Sequence, residues 1–224
     1  MKRGHFQAQL NQCCRVCQSL DLVQRRVESP KYVAGLRATL ADLTYLEMWK
    51  KLTADDLYDL QFQDLSLLQF RYVNDNPFVV SFAYYPCPLN VLSFREFVHS
   101  DVYVRDNEYG TAAEQYDEYV SAAELKTHVL PIRYDSDPRS YECAKHPASH
   151  VHMGLENDVR LSTRRYWRPL TFTLLVLRQV YPHLWIRLLN SGRPPSFFAN
   201  VKEALPEVES ACWQVKDGYE VALH

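Results

Sequence analysis

Apolar residues recur at Leu10, Cys13 or Cys14, Cys17, Leu20 and Val23, a spacing that predicts an amphipathic helix over residues 6–27. Ser29-Pro30 ends it, because proline lacks an N–H and disfavours helix in the residue before it. Ala34, Leu36, Leu40, Leu43 and Leu46 allow more helix up to the Lys50-Lys51 pair. The period then drops to two. Residues 59–64 alternate, 66–73 continue in strand-forming residues, and Asn74-Asp75-Asn76-Pro77 is turn chemistry before the strand formers of 78–85. A three-stranded antiparallel meander ending at Pro86-Cys87-Pro88 is expected, with a helix around 92–99 and another from Thr111.

A second strand group follows. Residues 128–135 lead into a turn at 136–139, residues 149–153 alternate again, and 159–161 extend the sheet after a loop at 154–158. Trp167-Arg168-Pro169 opens an apolar helix over 170–181, with proline near its first turn. Its residues Phe172, Leu174, Leu175 and Leu177 read as core. Pro182 breaks it, and helices at 184–189 and 197–205 close the chain. This order predicts an α+β fold: a curved antiparallel sheet with flanking helices, the N-terminal and C-terminal helices packed on it. We expect one domain over 1–224 with an acidic insert at about 101–125.

Composition fits that picture. At 224 residues, 47% hydrophobic and 23% charged, the chain carries too much apolar surface for disorder, and no run is long enough for a membrane helix. The basic N-terminus leads into a polar helix rather than an apolar signal core, so a cytoplasmic protein without a secretory signal is expected. In that setting the six cysteines do not form a disulfide framework. The Cys-x-x-Cys spacing within Cys13-Cys14-Arg15-Val16-Cys17 lies in a helical pattern with no second pair nearby, so it reads as core.

Net charge is −2, from 25 basic and 27 acidic residues, but its distribution is uneven. Residues 101–125 hold Asp101, Asp106, Glu108, Glu114, Asp117, Glu118 and Glu124 against Arg105 alone, a candidate partner-facing element. Basic residues dominate 139–193, and local fields rather than net charge govern phosphate binding. Arg160, Arg164, Arg165 and Arg168, interleaved with Tyr166 and Trp167, form a candidate phosphate-and-stacking surface for single-stranded nucleic acid.

The densest reactive chemistry lies in Arg133-Tyr134-Asp135 and in His146-Pro147-Ala148-Ser149-His150-Val151-His152. A strand over 149–153 puts His150 and His152 on one face, and Arg133 and Asp135 share a face of the strand before it. If those strands pair, one patch holds imidazoles, a guanidinium and a carboxylate. Two chemistries use such a patch. In metal-free RNA cleavage one imidazole takes the 2′-hydroxyl proton while another protonates the leaving oxygen. Arg133, with Arg160 or Arg165, then stabilises phosphoryl charge, and Asp135 orients a histidine. In a metal site, His150 and His152 bind the ion with His146 or Asp135 as third ligand and a position left for water. The metal-free form is the primary expectation, with no cofactor. No Walker-type loop, GxGxxG or GxSxG motif occurs, which argues against nucleotide hydrolases, dinucleotide enzymes and α/β-hydrolases.

Asp64-x-Ser66-Leu67-x-Gln69-Phe70-x-Tyr72, Tyr85-Pro86-x-Pro88, Arg133-Tyr134-Asp135 and His146-Pro147-x-Ser149-His150-x-His152-x-Gly154 together resemble an uncharacterised bacterial family with a DGS-type strand and an HPxSHxHxG core. The resemblance spans 58–181, with Leu65 standing where that family usually has glycine. The shorter pattern over 131–154 also looks like the TumE-type toxins of toxin–antitoxin pairs, regarded as RNA-targeting. The resemblance implies an RNA-directed phosphodiesterase effector, in a toxin–antitoxin or anti-phage defence setting, with RNA and an antitoxin or defence-complex subunit as partners. A non-catalytic subunit that binds nucleic acid and a partner, and a metal-dependent hydrolase, are the alternatives.

Overall fold

The computed structural model describes residues 3–28, 30, 40, 42–105, 109–154 and 159–219. Seven strands form one open antiparallel sheet, as the α+β reading expects, in the order β1 (Val23–Arg26), β2 (Leu60–Phe62), β3 (Leu67–Asp75), β4 (Phe78–Tyr85), β5 (Ile132–Ser136), β6 (Ser149–Met153), β7 (Arg160–Ser162). Among the described residues seven α-helices accompany it: α1 (Arg3–Gln18), α2 (Tyr45–Ala54), α3 (Phe94–Phe97), α4 (Ala112–Ser121), α5 (Pro169–Val180), α6 (Pro182–Leu189) and α7 (Pro195–Glu203). The chain divides into two compact units, one of residues 1–23, 69–84 and 131–224, the other of 24–68 and 85–130. None of the described helices is long and apolar enough to cross a membrane.

Helix starts follow local chemistry. Thr44, Ser93 and Thr111 each accept from the backbone N–H three residues on, while Glu47, Glu96 and Glu114 reach back to complete capping boxes for α2, α3 and α4. Prolines open α5, α6 and α7, where the missing N–H would have had no helical partner. The first helix is shorter than its apolar spacing predicts. Asp21 takes φ +56°, and the N–H groups of Asp21 and Leu22 bond back to Gln18 and Cys17. That is a Schellman stop, after which Val23 enters β1 rather than a further turn. Much of the helix allowed before Lys50 falls on residues outside those described; the described part begins at Tyr45.

In the unit that holds the histidines, the two faces of the sheet differ. Phe70, Phe82, Tyr134 and Val151 are buried on one of them, and Phe172 of α5 packs edge-on to Phe70. Phe6 of α1 meets Phe82 with ring centroids 6.2 Å apart. Cys13, Cys14 and Cys17 are buried and in no disulfide, and burial pushes the Cys17 thiol well above its ordinary range. These thiols are packing groups. The other unit has its own core, in which Met48, Trp49 and Leu52 of α2 pack with Tyr58, Leu67 and Cys87. Leu65 makes the β2–β3 turn at φ +63°, the left-handed region that favours glycine, and Asp64 caps that turn by accepting from the Ser66 N–H. Tyr116 of α4, within the acidic insert, joins Phe94 and Phe97 there in an aromatic cluster.

Candidate functional site

The register of three strands builds the site, and all of it lies in one unit. β5 pairs with β6 so that Arg133 faces His152 and Asp135 faces His150. β6 pairs with β7 so that His150 faces Ser162 and His152 faces Arg160. Across β5 on the other side, Ser81 and Ala83 face Asp135 and Arg133. Facing residues on paired strands project to the same side, so four ionisable side chains of β5 and β6 share one face, flanked by small Ser81, Ala83 and Ser162. Arg160 occupies the same face of β7.

Both imidazoles are buried, at 3% exposure for His150 and 6% for His152, while the side chains of Arg133 and Asp135 keep 30% and 24%. The rings touch: His150 Nε2 and His152 Nε2 are 2.9 Å apart, and the ring planes cross at 74°. Since a carbonyl only accepts, His150 Nδ1–H donates to the Pro147 carbonyl at 2.8 Å and leaves Nε2 as the bare nitrogen of the neutral ring. His152 Nε2–H then donates to it. Burial pushes both pKa values down to about 4. For His152 the Arg133 charge and His150 add to burial; for His150, the Pro147 bond and Asp135 oppose it. The pair is therefore neutral near pH 7.

Around the pair, Arg133 Nε donates to Asp135 Oδ2 at 2.6 Å, and that same oxygen lies 3.6 Å from His152 Nε2. The ligand atoms of Asp135, His150 and His152 all lie within 4.8 Å of one another, the one such group of histidine, cysteine or carboxylate residues among the described residues. Of the two third ligands the sequence offers, the strand register thus supplies Asp135. His146 sits edge-on to His150, with centroids 5.0 Å apart, and its Nδ1 is buried without a hydrogen-bond partner.

The expected arginine-and-aromatic surface is not assembled. Tyr166 is 3% exposed, bonded to Glu209 and packed on Phe78; Trp167 is 8% exposed and stacks on Tyr134 at 5.1 Å. Their rings are held inside the fold, so a stacking platform for bases at 166–167 is corrected to core packing. Arg164 and Arg165 donate to the carbonyls of Val208 and Leu205 and lie 3.7 and 3.6 Å from Glu207, tying down the C-terminal segment. Arg168 stands at the N-cap position of α5 without a side-chain cap, its Nε buried and unbonded. Only Arg160 of that group lies on the histidine face.

One contributor escaped the sequence reading. Asp217, 6% exposed, accepts from Tyr141 Oη at 2.5 Å, from the Ala144 N–H at 2.8 Å and from the Gln214 N–H at 2.7 Å, holding the loop that carries His146. It lies 71 residues beyond His146, and no local spacing signals that contact.

Residues 10–213 match one protein family, described as an uncharacterized conserved protein (DUF2290). No curated protein and no solved structure matches the chain.

Proposed function

The chain belongs to the uncharacterized conserved family DUF2290, and we propose that its histidine face is the active site of a hydrolase that cleaves phosphodiester bonds in single-stranded RNA. The observation that carries this reading is the register, which gathers Arg133, Asp135, His150, His152 and Arg160 on one face of three adjacent strands. Ionisable groups on this scale are costly to desolvate unless they serve one another or a ligand. A phosphodiester suits them. Arg133 and Arg160 offer paired donors to non-bridging oxygens, and neutral imidazoles activate the attacking hydroxyl or water.

The same geometry refines the division of labour. In in-line phosphoryl transfer, acid and base serve oxygens on opposite sides of phosphorus, each at about 2.6–3.2 Å from its own oxygen. Rings already touching through their Nε2 atoms at 2.9 Å do not straddle a phosphate without parting. We therefore assign His150 and His152 jointly to the nucleophile side, with Asp135 orienting His152 and Arg133 and the leaving oxygen taking its proton from water. The resemblance of residues 131–154 to TumE-type toxins supports RNA over DNA, and with it an effector role in a toxin–antitoxin or anti-phage system alongside a protein partner.

The test is cleavage of single-stranded RNA by the purified full chain and by His150→Ala/His152→Ala. The variant should lose at least about 100-fold in rate while keeping a cooperative thermal transition. Undiminished cleavage by that double variant would overturn the assignment.

A further inference from the structure

We propose that Asp135, His150 and His152 form a binding site for one divalent first-row transition ion, zinc being the ion of first choice. The inference deepens the hydrolase reading by making the two imidazoles ligands of an ion that would activate water in place of acting as bases themselves, and it rests on that reading only for the ion's catalytic consequence, not for its binding.

Four independent features of the side chains converge on this. The first is spacing. Two nitrogens each about 2.0–2.1 Å from one tetrahedral ion stand about 3.3 Å apart. His150 Nε2 and His152 Nε2 are 2.9 Å apart, so the rings need to part by only about 0.4 Å to hold one ion between them.

The second is tautomer and orientation. A ligating histidine almost always donates its other ring N–H to a carbonyl or carboxylate, which fixes the ring and raises the basicity of the ligating nitrogen. His150 Nδ1–H does this with the Pro147 carbonyl at 2.8 Å, so its bare Nε2 points at His152. Ion binding requires His152 to exchange tautomers: the proton it now shares at the Nε2 contact leaves and Nδ1 takes one up, so both Nε2 atoms are bare and the pair stays neutral.

The third is the donor set. Two neutral imidazoles and a carboxylate, with all ligand atoms within 4.8 Å of one another, give three protein ligands. Structural zinc sites close four protein ligands, whereas three ligands leave a position for water or substrate. The nitrogen and oxygen donors suit zinc, iron, cobalt or manganese rather than calcium or magnesium.

The fourth is support. Arg133 holds the Asp135 carboxylate through Nε at 2.6 Å, as a partner behind the ligands does. Its guanidinium also keeps a cation beside the ion, so the pair prefers an anionic substrate, in line with a phosphodiester. Behind β6, Tyr134, Ser149 and Thr163 tie the strand's other face to the fold through bonds of 2.7 and 2.6 Å.

The experiment is zinc chloride binding to metal-stripped full-length protein, followed by calorimetry and by the ring-nitrogen resonances of 15N-labelled histidine. One equivalent of zinc should bind, moving the ring-nitrogen resonances of His150 and His152 and of no other histidine, with His152 passing from the Nε2–H to the Nδ1–H tautomer, and cobalt(II) should give the visible bands of a low-symmetry site. His150→Gln and Asp135→Asn should weaken zinc binding by at least about 100-fold. Arg133→Gln, behind the ligands, should cost about 10-fold to 100-fold. The nuclear-resonance arm needs no variant, so a misfolded substitution does not decide the matter. Absence of stoichiometric zinc binding by the wild-type chain, or binding that leaves the His150 and His152 resonances unmoved, overturns the inference. The two readings separate cleanly. Zinc bound at these rings with no RNA cleaved supports this inference while the hydrolase reading falls, and histidine-dependent cleavage undiminished in excess chelator sinks the ion while the hydrolase reading stands.

Discussion

Asp217 shows how much a single side chain can govern at a distance. Its carboxylate takes three donors, from Tyr141, Ala144 and Gln214, and two of them belong to the loop that ends in His146. Ala144 there adopts φ +57°, a conformation that a non-glycine residue keeps only when its surroundings hold it. Burial alone would push the Asp217 pKa up, but the hydrogen bonds outweigh it and hold the group below its ordinary 3.8. A carboxylate whose pKa is depressed by folding contributes its full stability above the unfolded value and loses it as the pH falls through the folded one. Asp217→Asn should thus cost about 2 kcal/mol at neutral pH, since it removes charge-assisted bonds and points an amide at three donors. The gap between variant and wild type should narrow as the pH drops below 3.8. Chemical denaturation at both pH values measures it. A gap that stays constant across that range would mean the three bonds owe nothing to the charge.

At the scale of elements, β6 does two jobs with its two faces. His150 and His152 point one way; Ser149 and Val151 point the other, into a buried hydroxyl chain. The Tyr134 hydroxyl contacts Ser149 Oγ at 2.7 Å and accepts from the Trp167 N–H at 2.8 Å. Tyr134→Phe leaves that N–H buried and unpaired, at a cost of about 1–3 kcal/mol, while no atom on the histidine face changes. We expect a lower midpoint in urea with the RNA cleavage rate per folded molecule retained; loss of cleavage without loss of stability would show that the two faces are coupled. This alternation is also why the site was legible in sequence. A period of two on 133–135 and on 149–153 sorts polar from apolar residues, and pairing of neighbouring strands then needs no long-range information. Capping boxes at Thr44, Ser93 and Thr111 are equally local. What local pattern does not carry is the fate of Tyr166 and Trp167. Arg-rich flanks suggest a surface, but the rings are drawn inside by Glu209, Phe78 and Tyr134, partners 33 to 88 residues away. The stop of α1 at Gln18 hides for another reason: it depends on Asp21 entering left-handed backbone, which the apolar stripe running on to Val23 masks.

Over the whole molecule, charge constrains how the RNA of the proposed reading would be met. The chain's net charge of −2 gives no broad field to gather a polyanion. The basic stretch from 139 to 193 is largely spent within the protein: Arg139 pairs with Asp137, Lys145 with Glu142, Arg187 with Asp21, and Arg164 and Arg165 lie beside Glu207. Arg133, through the donors that its Nε bond to Asp135 leaves over, and Arg160 are the arginines on the histidine face, so on the proposed reading RNA engagement should neutralise about two phosphates. For single strands the salt slope is about −0.7 per phosphate neutralised, which predicts a log–log slope near −1.4, reduced by about 0.7 in Arg160→Gln. The checking measurement is kcat/KM for RNA cleavage across a series of salt concentrations. A slope several times steeper would demand a basic surface away from the histidine face, because the two arginines there do not supply that many contacts. A slope near the predicted value, unaffected by Arg164→Gln, would mean that recognition and chemistry are concentrated at the same few side chains.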